Sequence, residues 1–93
     1  MDNGLIPAKL LYALARKRKW GESHTAYENM LRQFKSEAFG KHGMKIVAEI
    51  AEELIKERFV LKKPTSYGLQ VSLNPKKAQE IKKIIMDQLG FEL

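Results

Sequence analysis

The 93-residue sequence predicts a single α+β domain, mainly helical, with three helices, a two-stranded β-hairpin and a C-terminal helix. Two patterns support this order. Apolar residues recur every three or four positions over residues 46–55, which is typical of an amphipathic helix. From Phe59 a short apolar run follows, and residues 69–73 alternate between apolar and polar, which is typical of half-buried strands. The third helix is therefore expected to lead directly into the hairpin.

The first two helices are predicted from their apolar stripes and end signals. The first runs from Asn3 to about Lys19. Pro7 suits the first turn of this helix, where a backbone N–H has no partner within the helix. A capping box at Thr25 and Glu28 starts the second helix. Trp20 is expected to pack between the two helices. The expected core positions are Leu10, Leu11, Leu14, Ala15, Tyr27, Met30, Leu31 and Phe34.

The remaining boundaries follow from turn and cap residues. The connector before the third helix is predicted over Lys35–Gly43, including one helical turn from Ser36 to Phe39, so the start of that helix stays open by several residues. Asn74 and Pro75 begin the last helix, and Gly90 stops it. The hairpin turn is assigned to Pro64, Thr65, Ser66 and Gly68. The last helix should bury Ala78, Ile81, Ile85 and Leu89, with Ile84 beside them.

Composition limits the classes of function. The net charge is +6 and the pI is about 9.7, which favours a polyanionic partner, chiefly nucleic acid. Cysteine is absent, which excludes disulfides, thiolate metal sites and cysteine nucleophiles. No apolar run reaches the ~18–20 residues that cross a membrane. The amino-terminal cations follow the apolar segment, the reverse of a secretory signal, so we expect a cytoplasmic protein with no membrane partner.

Catalytic and cofactor motifs are missing from the sequence. It contains no glycine-rich phosphate-binding motif and no zinc-protease motif. His24 and His42 fall in different predicted elements, and no third ligand accompanies them. The pattern brings no serine, histidine and carboxylate together as a triad would require. We therefore expect neither an enzyme nor a cofactor.

The junction of the third helix and the hairpin reads IAEELIKERFVLKKPTSYGLQVSLNP. A helix that runs into a basic hairpin after two shorter helices resembles the winged helix-turn-helix family, especially its small archaeal DNA-binding members, over residues 6–89. The resemblance implies a third helix in the major groove of duplex DNA and a hairpin, or wing, on the adjacent backbone. It also implies a first strand of one or two residues near 22–24 that pairs with the wing.

The resemblance also assigns the contacts to nucleic acid. Base edges would be read from the start of the third helix by Lys41, His42 and Lys45, with Ala48 and Glu49 as further candidates. The wing residues assigned to phosphates or the minor groove are Lys62, Lys63, Thr65, Ser66 and Tyr67.

A run of cations ends the first predicted helix. Its members are Arg16, Lys17, Arg18 and Lys19. The run either contacts phosphates or simply stabilises the last turn through the helix dipole. For Tyr67, packing across the hairpin is the alternative to a contact with nucleic acid. Carboxylates on the third helix, and the absence of arginine from its reading part, favour modest sequence specificity.

Duplex DNA binding, with a role in transcription regulation, is the leading functional hypothesis. Two alternatives stay open: an RNA-binding or ribosome-associated winged helix, and a protein–protein interaction module. The C-terminal residues are more apolar than one small core requires, which predicts a homodimer through the C-terminal helix or another partner surface. The alternative there is that Phe91 and Leu93 fold back onto the domain.

Overall fold

The computed structural model describes residues 4–36 and 40–93. Within these ranges the chain is an α+β fold of four α-helices, one short 3-10 helix and a three-stranded antiparallel sheet. The predicted class, α+β and mainly helical, is confirmed. The elements are α1 (Leu5–Ala15), β1 (Thr25–Ala26), α2 (Tyr27–Ser36), α3 (Gly40–Lys56), β2 (Val60–Thr65), β3 (Gly68–Leu73), the 3-10 helix Pro75–Lys77 and α4 (Ala78–Leu89).

The hydrophobic core lies around α1, which contacts α2, α3, α4 and β3. Leu10 and Leu11 are fully buried and Leu14 is nearly so. Other elements cover α1 on several sides, so even adjacent positions of this helix are buried. Complete burial of such a side chain contributes about 1.5–3 kcal/mol. The core residues are Ile6, Leu10, Leu11, Leu14, Ala15, Met30, Leu31, Phe34, Val47, Ala51, Leu54, Val60, Val71, Leu73, Ile81 and Ile85. The predicted apolar stripes face this core, and Tyr27, Ile50, Ile55 and Leu89 are only partly buried at its edge.

The first helix ends earlier than predicted, at Ala15 rather than near Lys19. Arg18 adopts φ +56°, and this left-handed backbone cannot continue a right-handed helix. The Lys19 N–H instead donates to the Leu14 carbonyl at 3.0 Å. The last turn of α1 holds no basic residue, so the expectation that the cation run occupies that turn is wrong. The run forms the turn after α1. The predicted start at Asn3 lies outside the described residues.

A short strand replaces the predicted capping box. Thr25 and Ala26 pair with Val71 and Gln70 of β3, slightly later in the chain than the expected first strand. The Thr25 hydroxyl accepts a hydrogen bond from the Asn29 side chain at 2.8 Å. The Glu28 carboxylate instead binds Lys35 at 2.6 Å. The capping box is therefore wrong, because Thr25 belongs to the sheet and α2 begins at Tyr27.

The third helix starts earlier than predicted. The structure ends α2 at Ser36 and begins α3 at Gly40, so the long connector over Lys35–Gly43 is wrong. Met44 packs against the core one turn before Val47, and this burial favours a helix that extends ahead of the apolar stripe. Of the helical turn predicted from Ser36 to Phe39, Ser36 ends α2, and residues 37–39 lie outside the described residues.

The hairpin turn is tighter than predicted. The register of β2 and β3 runs from Val60 opposite Leu73 to Thr65 opposite Gly68, leaving Ser66–Tyr67 as the turn. Pro64, Thr65 and Gly68, predicted as turn residues, belong to the strands. Pro64 is tolerated because β2 is an edge strand of the described sheet, where a missing N–H costs little.

The central strand of the sheet is β3, with β1 on one side and β2 on the other. Val71 and Leu73 are buried as their alternation predicts, but Ser72 is buried as well. At this end of the strand, the backbone of Trp20 forms an isolated β-bridge with Leu73. The Trp20 side chain packs against the core and is partly buried.

The last helix has the predicted end signals. The Asn74 side chain accepts a hydrogen bond from the Lys76 N–H at 3.1 Å and so caps the 3-10 turn that leads into α4. At the other end Gly90 adopts φ +75° and its N–H donates to the Met86 carbonyl at 2.9 Å. Ile81 and Ile85 are fully buried as predicted, whereas Ala78 and Leu89 are only partly buried.

Candidate nucleic-acid interface

One face of α3 is free of the core. Val47 and Ala51 bury the inner face of this helix. Lys41, His42 and Lys45 are exposed on the outer side. Positions 41 and 45 are one turn apart and point the same way. The structure therefore leaves all three residues predicted to read bases accessible to a ligand.

Charge is distributed unevenly along α3. The cations Lys41 and Lys45 come first, next to the helix N-terminus, whose backbone N–H groups carry partial positive charge. Carboxylates follow from Glu49 onward, and the later ones, including Glu53 and Glu57, are also exposed. The first two turns of α3 therefore present a surface suited to a polyanion, whereas the turns from Glu49 to Glu53 present an acidic one.

The turn between α3 and β2 holds the helix against the hairpin. Arg58 adopts φ +65°, which reverses the chain direction after α3. The Phe59 N–H donates to the Leu54 carbonyl at 3.0 Å. The Asn74 side-chain amide donates to the Arg58 carbonyl at 2.9 Å. These bonds set β2 beside the last turns of α3.

A groove of about 430 Å³ separates α3 from β2. Three of its lining residues are cations and one is a carboxylate. The lining is Glu52, Ile55, Lys56, Arg58, Val60, Leu61 and Lys62. Sequence reasoning missed Lys56 and Arg58 as site residues. The signal in the sequence that could have identified them is their position at the junction of helix and strand, where two surfaces meet.

Glu52 is the one carboxylate of this groove, and it also influences a neighbouring tyrosine. Burial raises the pKa of the Tyr27 phenol above its ordinary value, and the negative charges of Glu52 and Glu28 raise it further. The Glu52 charge therefore lies between the groove and the start of α2. Its position reduces, but does not cancel, the positive charge that Lys56, Arg58 and Lys62 bring to the groove.

The hairpin presents an accessible tip and two accessible lysines. Lys62, Lys63 and Ser66 are exposed, and Tyr67 is 95% exposed. The alternative in which Tyr67 packs across the hairpin is therefore wrong. The Thr65 hydroxyl donates to the Gly68 carbonyl at 2.8 Å and accepts from the Tyr67 N–H at 3.2 Å. Thr65 thus shapes the turn, whereas its neighbours are free to meet a ligand.

The cation run after α1 lies elsewhere. The Leu73 N–H donates to the Lys19 carbonyl at 2.7 Å, which ties the run to the end of β3 opposite the hairpin turn. A strand of this length spans about 17–20 Å. Arg16, Lys17 and Arg18 are exposed and Lys19 is partly buried. The structure therefore does not bring the predicted cation run together with the tip of the hairpin.

The described part of the chain contains no group of three His, Cys, Asp or Glu side chains arranged to hold a metal ion. None of the helices in residues 4–36 and 40–93 is long and apolar enough to cross a membrane. Comparison of the chain with protein-family models, with curated proteins and with solved structures found no significant match. The geometry and charge of the surface itself therefore have to indicate the function.

Proposed function

We propose that this chain is a winged-helix protein that binds nucleic acid, with duplex DNA as the favoured ligand and a role in transcription regulation. The observation that carries the proposal is the cationic groove that joins α3 to β2. It sets a helix with a free outer face beside an exposed basic hairpin. In a winged helix these two elements bind together, the helix in the major groove and the hairpin on the adjacent backbone. The proposal assigns no catalytic activity and retains the predicted cytoplasmic location.

In this proposal the start of α3 reads the bases. The ammonium groups of Lys41 and Lys45 donate to the guanine acceptors that line the major groove. His42 donates to a purine nitrogen or to a phosphate. The helix N-terminus itself favours a nearby phosphate.

The hairpin and groove position the duplex. Lys62 and Lys63 contact phosphates, and Ser66 and Tyr67 add hydroxyl donors at the tip. These contacts set affinity and register without reading sequence. Specificity is modest, since lysine is less selective than the two-pronged arginine contact and Glu49 repels phosphates next to the reading residues.

The proposal is tested by titrating the protein with a mixed-sequence DNA duplex and with a structured RNA, each at two salt concentrations. For duplex binding, the logarithm of the affinity should fall with the logarithm of salt by about 0.9 for each phosphate contacted. Stronger binding to the RNA at matched salt would favour the RNA-binding alternative. No binding to either ligand by folded protein at low salt would reject the proposal.

A charge reversal at the hairpin tests the assigned surface. The double change Lys62→Glu and Lys63→Glu should weaken binding to every duplex and reduce the salt slope by about two, because two phosphate contacts are lost. The matched control is Lys76→Glu with Lys83→Glu, which alters net charge equally at exposed positions near and on α4. Equal weakening by both variants would show attraction by net charge alone. Unchanged affinity in the hairpin variant would make the wing assignment wrong.

A homodimer through the C-terminal helix is part of the proposal. Met86 is 41% exposed, and Phe91 and Leu93 are each almost half exposed. The Phe91 ring also stacks on Tyr12, with ring centroids 4.7 Å apart, so the chain end folds back in part and leaves one side uncovered. Sedimentation equilibrium should show dimers whose population falls when Met86 is changed to Lys. A monomer at the highest soluble concentration would reject the dimer.

A further inference from the structure

A second groove, of about 560 Å³, lies between the end of α1 and the start of α4. Trp20, Pro75 and Leu93 form apolar parts of its wall. It is placed at the end of β3 opposite the hairpin turn, because Trp20 bridges to Leu73. This groove therefore lies away from the tip of the hairpin, and it shares no lining residue with the groove between α3 and β2.

The rim of this groove is cationic. Arg16, Arg18 and Lys82 line it, and no aspartate or glutamate side chain does. None of the three forms an ion pair with the described residues, and all are exposed. Arg16 also lines an adjacent smaller groove together with Lys17 and Arg32, again without a carboxylate. Like charges held this close repel one another, and an anionic ligand would relieve that repulsion.

The floor of the groove is held in place before any ligand binds. The Gly21 N–H donates to the Leu73 carbonyl at 2.9 Å, beside the bridge made by Trp20. Gly21 adopts φ +58°, and a Cβ there would lie 3.3 Å from Pro75 Cγ. The backbone at Gly21, just after the cation run, thus packs closely against the start of the 3-10 helix. A groove held open in this way loses little entropy when it binds a ligand.

We propose that this groove binds an acidic peptide segment of a partner protein. One large apolar side chain of the peptide rests against Trp20, and neighbouring carboxylates pair with Arg16, Arg18 and Lys82. A nucleic acid would satisfy the cationic rim but would leave the concave apolar floor without a matching group, because Trp20 is partly buried and not a flat stacking platform. Peptides with apolar anchors between acidic residues satisfy both features.

The test uses the single tryptophan of the protein. The probe is a short peptide of glutamate and aspartate with one central leucine, labelled for polarisation measurements. Binding should increase polarisation and shift the emission of Trp20, which lies in the groove. Replacing the central leucine of the peptide by alanine should weaken binding by about tenfold, because the apolar contact is lost.

Charge-reversed variants locate the site. The double change Arg18→Glu and Lys82→Glu should weaken peptide binding by about tenfold or more. Lys62→Glu with Lys63→Glu changes net charge equally at the hairpin and should leave peptide binding unchanged. The neutral variant Arg18→Gln with Lys82→Gln repeats the test with less risk to folding, which circular dichroism checks.

Several outcomes would overturn the proposal. They are the absence of a Trp20 emission shift, equal binding of the leucine-free peptide, and equal weakening by the hairpin variant. Stronger binding of a single-stranded oligonucleotide at this groove would assign it to nucleic acid instead. Emission that changes with protein concentration alone, in parallel with dimer formation, would assign it to a second copy. None of these results depends on whether the hairpin surface binds DNA.

Discussion

Asn74 links three elements with one side chain. Its carbonyl oxygen accepts from the Lys76 N–H, and its amide donates to the Arg58 carbonyl. The first bond caps the turn that leads into α4. The second ties that turn to the chain reversal between α3 and β2, next to the cationic groove. A residue recognisable in the sequence as a cap therefore also helps to position the candidate site.

Replacing Asn74 by Ala removes both hydrogen bonds. We expect a loss of about 1–2 kcal/mol in the free energy of unfolding, the usual cost of a lost cap with some contribution from the second bond. Asn74→Asp keeps the capping oxygen but cannot donate to Arg58, so its loss should be smaller. Urea unfolding of the three proteins measures the difference. Equal stability of the Ala variant and the original protein would contradict this account.

Tyr27 makes stability depend on alkaline pH. Its pKa is raised above 10.0 by burial and by the charges of Glu52 and Glu28, so the folded protein releases the phenol proton less readily than the unfolded chain. The contribution to stability is complete below the unfolded value and is lost as pH rises through the folded value.

The variant Tyr27→Phe isolates this effect. Between about pH 9 and about pH 11, its free energy of unfolding should fall less steeply than that of the original protein. Tyr67→Phe is the matched control, because the same hydroxyl is removed from a fully accessible side chain at the hairpin tip. Denaturant unfolding at a series of pH values gives the slopes. Parallel curves for Tyr27→Phe and the original protein would reject the assignment to Tyr27.

At the scale of elements, burial and end residues act together. The stripe of α3 is long enough to define a helix, but packing of Met44 extends the helix to include Lys41 and His42. Residues with left-handed backbone conformation then determine how the chain leaves two helices. Arg18 ends the turn after α1, and Arg58 reverses the chain after α3. The packing of Met44 therefore places the candidate reading residues on a helix. The chain reversal at Arg58 creates the cationic groove between α3 and β2.

The end of α4 offers a test of one such exit. Gly90 adopts φ +75°, and a Cβ there would meet nothing within 4 Å, so substitution changes only the backbone strain. Gly90→Ala should lower the free energy of unfolding by about 1 kcal/mol, and Gly90→Asn by less, because asparagine tolerates left-handed backbone. Thermal unfolding resolves the order. A more stable Ala variant would contradict the left-handed cap.

The whole molecule carries two cationic surfaces. One comprises the start of α3, the groove and the hairpin. The other surrounds the end of α1, is attached to the end of β3 away from the hairpin turn, and shares no lining residue with the first groove. In the sequence, both surfaces contribute to one net positive charge, and this charge does not show that the cations lie on two surfaces.

This separation predicts unequal effects on duplex binding. Arg16→Glu with Arg18→Glu should reduce duplex affinity much less than Lys62→Glu with Lys63→Glu, although both change net charge equally. The remaining effect of the first pair is long-range attraction, which salt screens over about 8–10 Å. Titration at two salt concentrations measures this, and the difference between the pairs should persist at the higher one. Equal effects would place the run after α1 in the same interface.

Regular packing made much of the fold predictable. Phe34 and Ile85 repeat at the period of their helices, and each is buried where its stripe predicts. Asn74 and Gly90 were recognisable because caps require particular residues. Thr25 and Pro64 were not, because a capping residue or a proline in a sequence does not reveal a strand partner elsewhere. For the same reason the candidate site was predicted only in part: lysines at the helix start and hairpin were found, whereas Lys56 and Arg58 were missed.

By itself the sequence determined the class of the fold, the order of its main elements and its positive charge, because periodicity, caps and composition are local properties of a chain. Only the tertiary structure decided where α1 and α3 end and begin, which strand lies at the centre of the sheet, and which cations share a surface. These features depend on contacts between residues far apart in the sequence, such as Lys19 with Leu73 and Arg58 with Asn74. The energy that selects such contacts comes from burial in a shared core, which no single segment contains.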